Sequence, residues 1–260
     1  KEEFEPYLRG LKLQLYTNYA NALEDCGRKA PAMKFYRKGL EINPEFGMAE
    51  GNMGRALQHY SALVHDPGHT AYLHHFAYNY LKSSLKKADV HVSARKYFER
   101  CVNSYTDEIK ETFLENKLEI SEYSLGEKQE EAYRRWCLHH HLFLNPLNDL
   151  PHELSCFATD SLQLPDMITH IEQIEPPRYF GMFNQLKQEY IYARYLCYEA
   201  FYEREETHFA DKETHLINLY DYPQYSIRIE GLKTAFRQSY SIFDKVAFFI
   251  NDYWELGIQE

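Results

Sequence analysis

The chain has 260 residues, 44% of them hydrophobic, which excludes a disordered polymer and allows one large core or two modest ones. Glycine and proline are scarce, at 11 and 10, and β-branched runs are few, so an all-α fold is expected. A formal net charge of −10 excludes unspecific coating of a phosphate backbone, although a local basic patch around Arg134, Arg135 and Arg194 stays open.

Residues 16–44 read YTNYANALEDCGRKAPAMKFYRKGLEINP. Small residues at Ala20 and Ala32 allow two helices to approach. Tyr16, Tyr19, Leu23 and Tyr36 fill the seam between them. Gly27 follows the first helix, where a left-handed cap is needed, and Pro44 stops the second. The segment resembles the tetratricopeptide repeat, a 34-residue helix-turn-helix unit. Gly39 departs from the alanine usual at that position and weakens its helix by about 1 kcal/mol. A second unit starts at Met48, with Met53, Gly54 and Leu57 at the matching positions. VHDPGHT expands its turn, and AYLHHFAYNYLKSSL is its second helix. A third, degraded unit follows through SARKYFERCVNSY. Such units stack because one alone cannot bury its apolar face, and the resemblance implies a groove that takes a protein or peptide partner.

The repeat pattern fades near Glu108, which divides the chain into a repeat region, 1–107, and a second helical domain, 108–260. GEKQEEAYRRWCLHHHLFL reads as a helix running to Asn145–Pro146. An irregular connection with separated prolines follows. NQLKQEYIYARYLCYEAFYERE is an amphipathic helix, HFADKETHLINLYDYPQYS is loop or short helix, and IRIEGLKTAFRQSYSIFDKVAFFINDYWEL is a long helix. Its apolar residues include Leu232, Phe236, Ile242, Val246, Phe249 and Ile250.

The five cysteines (Cys26, Cys101, Cys137, Cys156 and Cys197) are dispersed and form no CxxC, as expected of reduced thiols in a cytoplasmic protein. No apolar run approaches 18 residues, so no membrane partner is expected. The chain starts at Lys1 and stops at Glu260, just after an apolar helix, which suggests a piece of a longer protein.

WCLHHHLFLNPLNDL, NQLKQEYIYARYLCYE, HFADKETHLINLYDYPQYS and LKTAFRQSYSIFDKVAFFIN occur in this order. Together, over roughly residues 110–260, they resemble a prokaryotic subfamily of HEPN (higher eukaryotes and prokaryotes nucleotide-binding) domains, which tetratricopeptide-like repeats often precede. The resemblance implies a helical bundle, action as a homodimer and, in many members, metal-independent RNA cleavage in toxin–antitoxin or phage-defence settings. Other members only bind, so an inactive scaffold that dimerises through the bundle is the alternative. The family's catalytic pattern is arginine, then histidine after four to six residues. In this subfamily it is expected as Arg-Asn-x-x-x-His, and the sequence contains no Arg-Asn dipeptide. Two readings stand: the catalytic helix lies beyond Glu260, or the motif is relocated to Arg134 with His139 or His141.

Metal-free RNA cleavage needs a base for the 2′-hydroxyl proton and a cation for the phosphorane, roles suited to histidine and arginine. On one continuous helix, Arg134 and His141 at i and i+7 share a face, whereas i+5 partners lie about 140° apart. Solvated or capping histidines are the simpler alternative. Three consecutive histidines point around a helix and make a poor zinc set, so neither metal nor cofactor is expected.

A second constellation is Arg237, Ser241 and Asp244 at i, i+4 and i+7, with Lys245 beside it. Lys187 and Arg194 form a comparable stripe on the preceding helix. With Glu189, Asn145, Asn148 and Asp149, these residues make either a structural polar network or an RNA or nucleotide contact.

Overall fold

The computed structural model describes residues 4–116, 122–150, 154–165, 177–202, 208–212 and 226–258. All regular structure among them is helical. The chain divides into two compact units that interleave along the sequence. One comprises Lys1–Gly126 and Cys137–Leu162, the other Glu127–Trp136 and Gln163–Glu260.

The first unit begins with two helices, α1 (Phe4–Asp25) and α2 (Lys29–Ile42). Gly27 takes φ +77°, and its N–H reaches the Glu24 carbonyl at 2.9 Å while Arg28 N–H reaches Leu23 at 2.9 Å. This closes α1 with a left-handed cap that costs glycine nothing. Ala20 and Ala32 are fully buried where the helices touch, and Tyr36 fills the seam. Tyr19 and Tyr16 pack on the Phe35 ring at 4.6 and 5.9 Å.

The second hairpin is α3 (Gly47–Ser61) and α4 (Pro67–Ser84). Helix α4 starts four residues before the Ala71 expected from sequence. Asp66 caps it by accepting the His69 N–H at 2.7 Å, and Pro67 sits at its first position, where no N–H is needed. Gly54 lets α3 lie directly on the α4 backbone. Helix α5 (Val92–Glu108) and the short α6 (Glu111–Glu115) follow. Phe98 of α5 fills the space over Gly51. Met33, Met53, Leu57, Leu73 and Leu81 are buried in this core, each worth about 1.5–3 kcal/mol on burial.

Helix α7 (Lys128–His139) is shorter than the sequence suggests. It stops at His139, not at Asn145, because His141 enters the left-handed region at φ +54°. His141 N–H then reaches the Leu138 carbonyl at 3.0 Å, and Leu142 N–H reaches Cys137 at 2.9 Å. The triple histidine is thus a helix end, followed by a strap. Within the strap, a 3-10 turn at Pro146–Asp149 packs against α2 and α4, and Phe157 meets Tyr72 edge-on at 6.3 Å.

The second unit is built on α8 (Arg178–Phe201) and α9 (Ile227–Tyr253), which pack along their lengths. Ser226 caps α9 by accepting the Ile229 N–H at 3.3 Å. Tyr133, midway along α7, packs on Tyr195 and Tyr198, and Trp136 also meets Tyr198. Of the loop or short helix expected at residues 208–226, Phe209–Asp211 form a 3-10 turn, and residues 213–225 lie outside the described residues.

Candidate functional site

Arg134 and Arg135 are each held one turn back. Arg134 Nη2 lies 2.8 Å from Glu130, and Arg135 Nη2 lies 2.7 Å from Glu131. His139 and His140 are exposed, with rings 4.9 Å apart. His141 Nδ1 lies 2.7 Å from the Asn148 carbonyl, which only an N–H can satisfy. Its Nε2 therefore accepts from Arg37 Nη1 at 3.1 Å. Arginine and histidine do meet in this unit, but the arginine is Arg37 on α2. Because His141 is left-handed, the expectation that it shares one helical face with Arg134 fails.

Asn145 is buried. Its Oδ1 accepts from Leu147 N–H at 2.9 Å and its Nδ2 donates to the Phe157 carbonyl at 3.2 Å. Asn148 Nδ2 donates to the carbonyls of Phe143 and His141. Asp149 closes the turn, and its side chain lies outside the described part. Both asparagines hydrogen-bond the strap's own backbone.

In the second unit, Arg194 is buried. Its Nε donates to the Tyr133 hydroxyl at 2.8 Å, and its guanidinium lies between the Tyr133 and Tyr190 rings at 5.6 and 5.7 Å. Glu189 accepts two bonds from Lys245 Nζ at 2.6 Å, with Gln185 at 3.1 Å and Gln238 at 3.3 Å. The Lys245 ammonium, first, holds the Glu189 carboxyl below the usual range. The Lys245 and Gln238 bonds fasten α8 to α9. Lys187 lies 6.0 Å over the Phe183 ring. Arg237 and Asp244 are exposed, and Ser241 returns its hydroxyl to the Gln238 carbonyl at 2.9 Å. Met182, Gln185, Leu186, Asp244, Lys245 and Phe248 line a groove of about 360 Å³ along the α8–α9 seam.

Sequence reasoning missed a polar ladder between α1 and α3. Glu24 is buried, and its carboxylate accepts from Arg55 Nη2 at 2.7 Å and from the Tyr36 hydroxyl at 3.0 Å, with His59 Nδ1 at 3.0 Å. Asn21 Oδ1 accepts from Asn52 Nδ2 at 2.9 Å and from Tyr36 at 2.6 Å. Arg55 and Arg100 flank the Tyr97 ring at 6.0 and 5.8 Å. Burial first, then the Glu24 carboxylate, pushes the Tyr36 phenol far above its ordinary range. A signal was available: Asn21–Asn52 and Glu24–Arg55 are both 31 residues apart, close to one repeat period. The strap covers α2 and α4, so this ladder belongs to the other face of the hairpins, formed by α1, α3 and α5.

Among the described residues no group of histidine, cysteine and carboxylate side chains could hold a metal ion, and no helix is long and apolar enough to cross a membrane. All five cysteines are free thiols.

Stacked helical hairpins followed by a long-helix pair define a repeat scaffold joined to a helical domain. Comparison with known families makes both parts specific: residues 13–46 match the tetratricopeptide repeat family model, and residues 171–260 match the model described as LA2681-like HEPN. No curated protein and no solved structure matches the chain.

Proposed function

We propose that this chain is a cytoplasmic RNA-targeting effector of the HEPN type that works as a homodimer. Its repeat region senses or holds a protein partner. The observation that carries the reading is the HEPN match over residues 171–260, in a chain that also matches a tetratricopeptide repeat over residues 13–46. The tetratricopeptide repeat match supports a partner-binding role for this region. RNA would be met electrostatically by exposed cations such as Arg237 and Lys233 on α9.

A second reading, a catalytically inactive scaffold, is favoured by one observation. Arg134 and His141 each have other partners, Glu130 for the first and Arg37 and Asn148 for the second. The deciding experiment incubates the intact chain with single-stranded RNA in the presence of a chelator, alongside Arg134→Ala and His141→Ala. The effector reading expects RNA binding that Arg134→Ala leaves intact. Neither binding nor cleavage, with a protein partner still captured, would establish the scaffold. Cleavage abolished by His141→Ala in a folded protein would locate the active site at the triple histidine.

A further inference from the structure

Helix α9 carries two apolar seams, and α8 covers one. The inner seam runs through Leu232, Ala235, Ile242, Val246, Phe249 and Tyr253, all at least half-buried. The outer seam runs through Phe236, Tyr240, Phe243, Ala247, Ile250 and Trp254, and all six are exposed. Its spacing is 4, 3, 4, 3, 4, the 3.5-residue repeat of a helix that packs along a second helix. Isolated exposed apolar residues need no explanation, but six in one register do.

We infer that the outer seam of α9 is the surface through which two copies of this chain pair, with their α9 helices antiparallel. The inference deepens the homodimer reading above and rests on it for nothing except the expectation of a dimer.

Three observations select a second copy as the occupant. The first is area. The five large residues of the seam are 40% to 71% exposed. At about 150–250 Å² per aromatic side chain, the seam offers on the order of 600 Å² per chain. Two seams then bury about 1,200 Å², the lower edge of a stable interface. The second is shape. In an antiparallel pair centred on this seam, Phe243 of each copy falls opposite Ala247 of the other, a large side chain over a small one. Phe236 falls opposite Trp254, and Tyr240 opposite Ile250, so one self-complementary patch closes on itself. The third is charge. The first half of α9 carries Arg228, Lys233 and Arg237 against the single acid Glu230. The second half of the helix and the residue after its cap carry Asp244 and Glu255, while Lys245 is held by Glu189 and Asp252 by Arg178. Antiparallel pairing sets unlike ends together, and parallel pairing sets like ends together.

Sedimentation velocity on the intact chain, without RNA, tests this directly. The expected species has twice the chain mass. Phe243→Glu and Ala247→Trp should each shift it to the single-chain mass with helical dichroism unchanged. Thr234→Glu, which points away from the seam, should leave the dimer intact. Arg237→Glu should weaken the dimer, and adding Glu255→Arg should restore it, since the swap preserves antiparallel complementarity. A parent chain that sediments as a monomer would overturn the inference, as would a folded Phe243→Glu that remains dimeric. A monomeric parent whose RNA binding is lost on Phe243→Glu would also overturn it, assigning the rings to base stacking. A dimer that neither binds nor cleaves RNA would leave the surface standing and remove the effector reading, so the two failures are distinguishable.

Discussion

Gly54→Ala puts one methyl group where α3 lies on α4. A Cβ at this position would stand 2.8 Å from the Ala77 carbonyl oxygen, 2.8 Å from Leu81 Cγ and 3.0 Å from Leu81 N. Two of these three atoms are backbone, so no side-chain rotation relieves the contact and the helices must separate. Overpacking of this kind costs about 1–3 kcal/mol. Replacing glycine by alanine inside a helix returns about 1 kcal/mol of propensity. The net expectation is a destabilisation of about 1 kcal/mol, within a range of about 0–2. Gly39→Ala is the internal control, because its nearest neighbours are Thr17 Oγ1 at 3.4 Å and Leu13 Cδ1 at 3.5 Å, ordinary contact distances. There the propensity gain stands alone, and the variant should be more stable by about 0.5–1 kcal/mol. Urea unfolding followed by far-ultraviolet dichroism reads both: the midpoint should fall for Gly54→Ala and rise for Gly39→Ala, with the slope unchanged. A Gly54→Ala variant stabilised as much as Gly39→Ala would refute the close approach of α3 and α4.

Burial holds His75 below its ordinary 6.5, with its Nδ1 on the Phe113 carbonyl and its Nε2 facing Asn79 Nδ2. The unfolded chain therefore binds a proton first as the pH falls, so stability should drop below about pH 6.5, and His75→Gln should flatten that slope in acid titrations of unfolding. Arg194→Ala removes two ring contacts and the partner of the Tyr133 hydroxyl, and should cost about 2–4 kcal/mol in thermal or urea unfolding. Glu24→Ala leaves Arg55 and the Tyr36 hydroxyl without their shared acceptor, and a loss of about 3 kcal/mol is expected. An unchanged midpoint in either variant would show that its network is not formed.

The repeats were legible because local rules and tertiary packing agree there. Small residues at Ala20 and Ala32, glycine at Gly27 and proline at Pro44 each admit one structural role, and α1 and α2 end where those residues require. The end of α7 was not legible. Proline at 146 is a boundary signal, but the tertiary bonds of His141 to Arg37 and Asn148 reward an earlier, left-handed stop that no local propensity announces. The polar stripe of Lys187 and Arg194 on α8 was legible as a stripe, yet the partners of Arg194 lie on two elements, Tyr190 on its own helix and Tyr133 on α7, and the second depends on packing. The ladder from Asn21 to Arg55 was hidden for the same reason, although its 31-residue spacing was in plain view.

The measurement that bears most directly on the proposed function is fluorescence anisotropy of a labelled single-stranded RNA titrated with the intact chain in chelator. An RNA-targeting HEPN-type protein predicts saturable binding that weakens steeply as salt rises and is reduced by Arg237→Ala. A flat titration at every salt concentration, from a folded protein, would contradict the account.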